Sequence, residues 1–109
     1  MIVYLEKPAT KEEIKKASEE FGDYIKIVLD IRKEVAVIGG KLHADGEKVL
    51  IEKGSTQKDI WGGGFDLATG LIDSQAIINI RPQDENDSME ILDPEIRKKF
   101  LDIVEKFLK

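Results

Sequence analysis

VAVIGGKLHADGEKVLIEKGSTQKDIWGGG, Val35 to Gly64, is the stretch whose reading decides the fold. It holds the chain's only histidine, its only tryptophan and most of its nine glycines. Val35 to Ala44 sets Ala36, Ile38, Leu42 and Ala44 on one parity against Val35, Val37, Lys41 and His43 on the other. Gly39-Gly40 interrupts that alternation, which reads as a strand with a bulge or a close backbone approach. Asp45-Gly46 then separates this run from Lys48 to Glu52, and Asp-Gly between apolar runs signals a hairpin. The rival reading is a helix opened by Asp45 as N-cap, with Val49, Leu50 and Lys53 as its first periodic residues. We favour the hairpin. Gly54 to Asp59 follows as a turn, and Ile60 to Leu67 as a glycine-diluted strand around Trp61.

The flanks have clearer patterns. Met1 to Leu5 is rich in β-branched and aromatic residues and suits a short strand ended by Pro8. Thr10 and Glu13 form a capping box, and Ile14, Ala17 and Phe21 recur at helical spacing until Gly22, which predicts a helix over Lys11 to Phe21. From Tyr24 the period is two, with Ile25, Ile27, Leu29 and Ile31 opposed to Tyr24, Lys26, Val28 and Asp30. Ser74 to Arg81 alternates again and predicts a strand ended by Pro82. Gln83 to Glu90 is a polar loop. Asp93-Pro94 opens a final helix with a broad apolar stripe through Ile96, Phe100, Ile103, Val104, Phe107 and Leu108.

Short connections favour antiparallel neighbours, so the expectation is one α+β domain over residues 1–109. It is two-layered, with a mostly antiparallel sheet of about five strands and two amphipathic helices on one face. The other face then carries Asp30, Lys41, His43, Asn79 and Arg81. Val28, Val35, Val37 and Ile77 share that parity and would lie exposed, which predicts self-association through the sheet.

Composition narrows the function. There are no cysteines, so disulfides, thiol nucleophiles and cysteine-ligated metals are excluded. Net charge is −5, and no Lys/Arg cluster with interleaved aromatics offsets it, which argues against nucleic-acid binding. No apolar run is long enough to cross a bilayer, and MIVYLEKPAT lacks the marks of a signal peptide; a cytoplasmic location with no membrane partner is expected. Abundant Lys and Glu lean toward a thermophile-like composition.

No complete catalytic or cofactor motif is present, and no cofactor is expected. Ser55 and Ser74 lack a nucleophile elbow, and Gly62-Gly63-Gly64 is better explained as a turn or bulge than as a phosphate cradle. His43, Asp45 and Glu47 alternate and on a strand would share a side, a weak metal arrangement. His43 with Asp30 or Asp45 would serve acid–base chemistry. Arg81 beside Asn79 is placed to grip an anion, against the plainer reading of an ion pair with Asp30. Trp61 lines a pocket or packs in the core.

The runs GGKLHADGEKVLIEKGSTQKDIWG (Gly39 to Gly62), DSQAIINIRP (Asp73 to Pro82) and DPEIRKKFLDIVEKFLK resemble a family of small uncharacterised bacterial and archaeal proteins, a domain of unknown function. The likeness covers nearly the whole chain and implies a single domain without implying a chemistry. Two function classes follow. One is a binding or interaction module that forms a homo-oligomer. The other is a small enzyme or ligand-binding domain, acting on a small molecule of unknown identity, with its site at His43, Asp45, Trp61, Asn79 and Arg81.

Overall fold

The structure, a computed structural model, describes all residues from Met1 to Lys109. In chain order it runs β1 (Val3–Leu5), α1 (Lys11–Ala17), β2 (Tyr24–Asp30), β3 (Val35–Ile38), α2 (His43–Glu52), β4 (Ile60–Asp66), β5 (Ile72–Asp73) and α3 (Pro94–Leu108), with single 3₁₀ turns at Gln57–Asp59, Ile77–Asn79 and Pro82–Asp84. The strands form one sheet in the order β1-β3-β2-β4-β5, antiparallel throughout. The fold class is therefore the α+β one expected.

Alternation in the central strands sorts side chains between two faces. On one face Ile25, Ile27, Leu29, Ala36, Ile38, Trp61 and Phe65 pack with Phe100, Ile103, Val104 and Phe107 of α3 and Ala17 of α1. The capping box that opens α1 is formed, with Thr10 Oγ1 accepting from Glu13 N–H at 3.1 Å and Glu13 accepting from Thr10 N–H at 2.9 Å. Asp93 caps α3, accepting from Glu95 N–H at 2.8 Å. Helix α1 is shorter than its periodicity suggests: it ends at Ala17, and Phe21 lies half exposed beside the Lys26 ammonium.

The second face corrects the reading of the decisive stretch. His43 to Glu52 is a helix, and Asp45-Gly46 is part of it rather than a hairpin turn. Leu42, not Asp45, holds the N-cap position. Helix α2 covers a second, smaller core of Val28, Val37, Leu50 and Ile60. Gly46 marks where helix meets sheet: a Cβ there would lie 2.8 Å from Val28 Cγ2 and 3.3 Å from Val37 Cγ1. The two helices expected on one face are α1 and α3, and α2 adds a layer on the other. Val28 and Val37, expected to lie exposed and drive self-association, are buried within the chain.

Gly39 and Gly40 are no mid-strand bulge; they end β3, both at positive φ (88° and 84°). Ser74 to Arg81 is not a strand either, and the fifth strand is Ile72–Asp73. Between β2 and β3 a tight turn forms over residues 31–34. Asp30 Oδ1 accepts from the Arg32 and Lys33 N–H groups at 2.9 Å, and Glu34 takes the left-handed conformation at φ 55°.

Candidate functional site

The site begins with an absence of side chains. Strand β4 pairs in full register with β2, placing Gly62 opposite Val28 and Gly64 opposite Lys26, with Asp73 opposite Gly64 on the far side. Gly62 and Gly64 fall on the face covered by α2. A Cβ on Gly62 would lie 2.8 Å from Ala76 Cβ and 3.1 Å from His43 Cδ2, and one on Gly64 would overlap the Tyr24 phenol. Bare backbone at these positions lets the His43 and Tyr24 rings rest directly on the strand. A cavity of about 540 Å³ opens here, between the first turn of α2, the Tyr24 and Lys26 end of β2, and the Asp73 to Ile78 segment. That size suits a small ligand.

Its polar groups are few and oriented. His43 Nε2 lies 2.7 Å from the Gly63 carbonyl, so it carries the proton and donates it, which leaves Nδ1 as an acceptor with no partner in the chain. Burial lowers the pKa of His43, and the nearby Lys26 charge lowers it further, so the ring is neutral at neutral pH. The Tyr24 hydroxyl donates to Asp73 Oδ2 at 2.8 Å, and burial together with that bond raises its pKa, so the phenol keeps its proton. The Gln75 N–H donates to Asp73 Oδ1 at 3.1 Å. Leu42, Ala76, Ile77, Ile78 and Met89 supply apolar walls, with Ile77 at 73% and Leu42 at 59% exposure forming the rim.

Of the residues singled out from the sequence, only His43 lines this cavity. Asp45 is exposed in the first turn of α2. Glu47 lies one turn from His43 on α2, its Oε2 buried without a hydrogen bond and its charge felt by Arg81. The helix therefore separates Asp45 from the face that His43 and Glu47 share, and no three His, Asp or Glu side chains gather to hold a metal ion. Asn79 is fully buried. Its Oδ1 accepts from Gly62 N–H at 2.9 Å, and its Nδ2 donates to the carbonyls of Gly62 and Met89 at 2.9 Å and of Ser74 at 3.2 Å.

Arg81 does not pair with Asp30, whose carboxylate caps the β2–β3 turn. It donates instead to the carbonyls of Gln57 and Ile60, the latter at 2.8 Å, and its guanidinium lies 3.9 Å from the Trp61 ring. Asn79 and Arg81 thus hold the 74–91 segment against β4, the role a strand would have had. Trp61 packs in the larger core and borders a separate cavity of about 390 Å³ with Asp84, Asn86 and Asp93.

Tyr24, Lys26 and Asp73 were not singled out from the sequence. The available signal was the pair of glycines at one parity of β4. Alternate glycines on one face of a strand make room for something lying on that face, and the side chains that flank it are those in register with the glycines.

Fold and site together define a small three-helix α+β protein with a cleft beside the glycine-bearing strand β4. The family described as protein of unknown function (DUF5674) matches residues 3–107, and the chain belongs to it. No curated protein matches the chain, and no solved structure does. No helix is long and apolar enough to cross a membrane.

Proposed function

We propose that this chain is a binding module for a small, partly apolar ligand, taken into the cleft beside His43. The observation that carries this reading is a cavity of about 540 Å³ with largely apolar walls, opening beside an imidazole that donates from Nε2 to the Gly63 carbonyl and whose Nδ1 has no partner in the chain. A ligand body of apolar character has Leu42, Ala76, Ile77, Ile78 and Met89 to contact, and burying that surface supplies roughly 25 cal/mol per Å². The polar end meets His43, Lys26 and Asp73. Binding is favoured over turnover because the imidazole's protein hydrogen bond goes to a backbone carbonyl, which orients the ring without coupling it to a nucleophile. Self-association through the sheet loses its ground with Val28 and Val37 buried; the apolar side chains left exposed at Leu42, Ile77 and Met89 belong to the rim of the cleft.

The test is a fragment and metabolite screen followed by amide chemical shifts on the labelled protein. Shifts are expected to cluster at Lys26, His43 and Ala76 and to vanish in Ala44→Trp, which fills the mouth from an exposed position and leaves the core intact. A panel that leaves these amides unmoved, or shifts that persist unchanged in Ala44→Trp, overturns the reading. Shifts at Leu42 and Ile77 that grow with protein concentration alone would instead identify a second copy as the occupant.

A further inference from the structure

Lys26 and Asp73 occupy matched positions on either side of one glycine. Lys26 pairs across β2 and β4 with Gly64, and Gly64 pairs across β4 and β5 with Asp73. Neighbouring strands are about 4.8 Å apart, so the two backbones stand roughly 10 Å from each other, with the Tyr24 phenol lying over Gly64 on the Asp73 side. Both residues line the cavity. Neither forms an ion pair within the chain: Asp73 accepts hydrogen bonds from the Tyr24 hydroxyl and the Gln75 N–H, and the Lys26 ammonium lies 5.4 Å from the centre of the Phe21 ring. Opposite charges that line one cleft, neither of them neutralised by an ion pair within the chain, suit a ligand carrying both signs.

The remaining surroundings fit the same partition. His43 Nδ1 accepts a proton donor, and the first turn of α2 follows an N-cap, Leu42, that offers its N–H groups no side-chain acceptor. The walls beyond the charged end are aliphatic. We propose that the ligand is a free α-amino acid with an apolar side chain, its carboxylate held by Lys26 and the first turn of α2, its ammonium by Asp73, and its side chain against Ile77, Ile78 and Met89. This inference rests on the cleft being the ligand site. The imidazole, whose Nε2 is committed to the Gly63 carbonyl, accepts a hydrogen bond from the ammonium at Nδ1.

The test compares three probes that share one aliphatic body: L-leucine, isocaproate, which lacks the amine, and isoamylamine, which lacks the carboxylate. Titration calorimetry is expected to show leucine binding at least about tenfold more tightly than either, a difference of about 1.4 kcal/mol. Lys26→Met is expected to remove leucine's advantage over isoamylamine and leave isoamylamine itself unchanged. Asp73→Asn, which keeps an acceptor for the Tyr24 hydroxyl and so preserves the local fold, is expected to weaken leucine and leave isocaproate unchanged. Isocaproate matching leucine overturns the zwitterion proposal in favour of a plain anion site. Leucine failing to bind while other apolar fragments still shift the cleft amides overturns the proposal and spares the cleft; a cleft silent to every probe removes both.

Discussion

Asn79 shows how a single polar side chain substitutes for a length of β-ladder. It returns both hydrogen bonds of Gly62 and holds the Ser74 and Met89 carbonyls from the other side. Asn79→Ala is expected to cost about 3 kcal/mol in urea unfolding, since buried backbone groups lose their partners. Asn79→Asp is expected to cost more at neutral pH, because a carboxylate oxygen would face three carbonyls. The alternation of Ser74 to Arg81 marks Asn79 and Arg81 as special but gives them the wrong role, because an alternating pattern assigns faces only if the segment is a strand, and here Asn79 and Arg81 turn inward while Gln75 and Ile77 of the same parity stay exposed. His43 carries a second prediction. Its folded pKa lies below the unfolded value of about 6.5 because burial disfavours the imidazolium, so the unfolded chain takes up a proton that the folded chain resists. Its contribution is complete above that pH and declines as pH falls through about 6.5. Thermal melts are expected to drop between about pH 7.5 and about pH 5.5, and less so in His43→Asn, with the facing groups Lys26 and Asp73 unaltered in both. Equal drops in the two proteins would contradict this.

At the scale of elements, α2 is what the sequence concealed. Asp-Gly is a hairpin dipeptide by local chemistry, and glycine costs about 1 kcal/mol relative to alanine inside a helix. The helix forms nonetheless because Gly46 is where it presses closest to β2 and β3, and Leu50 seals the core beneath it. Gly46→Ala is therefore expected to destabilise by about 1 kcal/mol: the propensity gain is outweighed by driving a Cβ against a stiff valine, an overpacking cost of roughly 1–3 kcal/mol. In a Val28→Ala background the same change is expected to stabilise, measured by denaturant midpoint in a double-mutant cycle. Helix starts with complete local signals were legible, although α1 stops four residues short of the expected Phe21. The Thr10/Glu13 box and the Asp93-Pro94 start both stand where their spacing puts them. What local signals do not carry is which face of a strand another element will cover.

At the scale of the molecule, the sheet is buried on both sides, by α1 and α3 over the larger core and by α2 over the smaller. Fold class and the antiparallel sheet followed from periodicity and short connections, because both are nearest-neighbour properties of the chain. The cleft did not, because it exists only where β2, β4, β5 and α2 meet, and its key residues are far apart in sequence. The turn between β2 and β3 bears on how such a structure assembles. Asp30 fastens that turn with its own carboxylate, so the β2–β3 pair closes a short loop at small entropic cost, whereas β4 must find β2 across the whole of β3 and α2. The hairpin is thus the expected folding nucleus and β4 a late arrival. Stopped-flow chevrons are expected to show Asp30→Ala slowing refolding with little change in the unfolding arm, and Gly62→Ala doing the reverse. The strand that floors the cleft would then be among the last parts to assemble and the first to leave, so a bound ligand would lengthen the native-state lifetime.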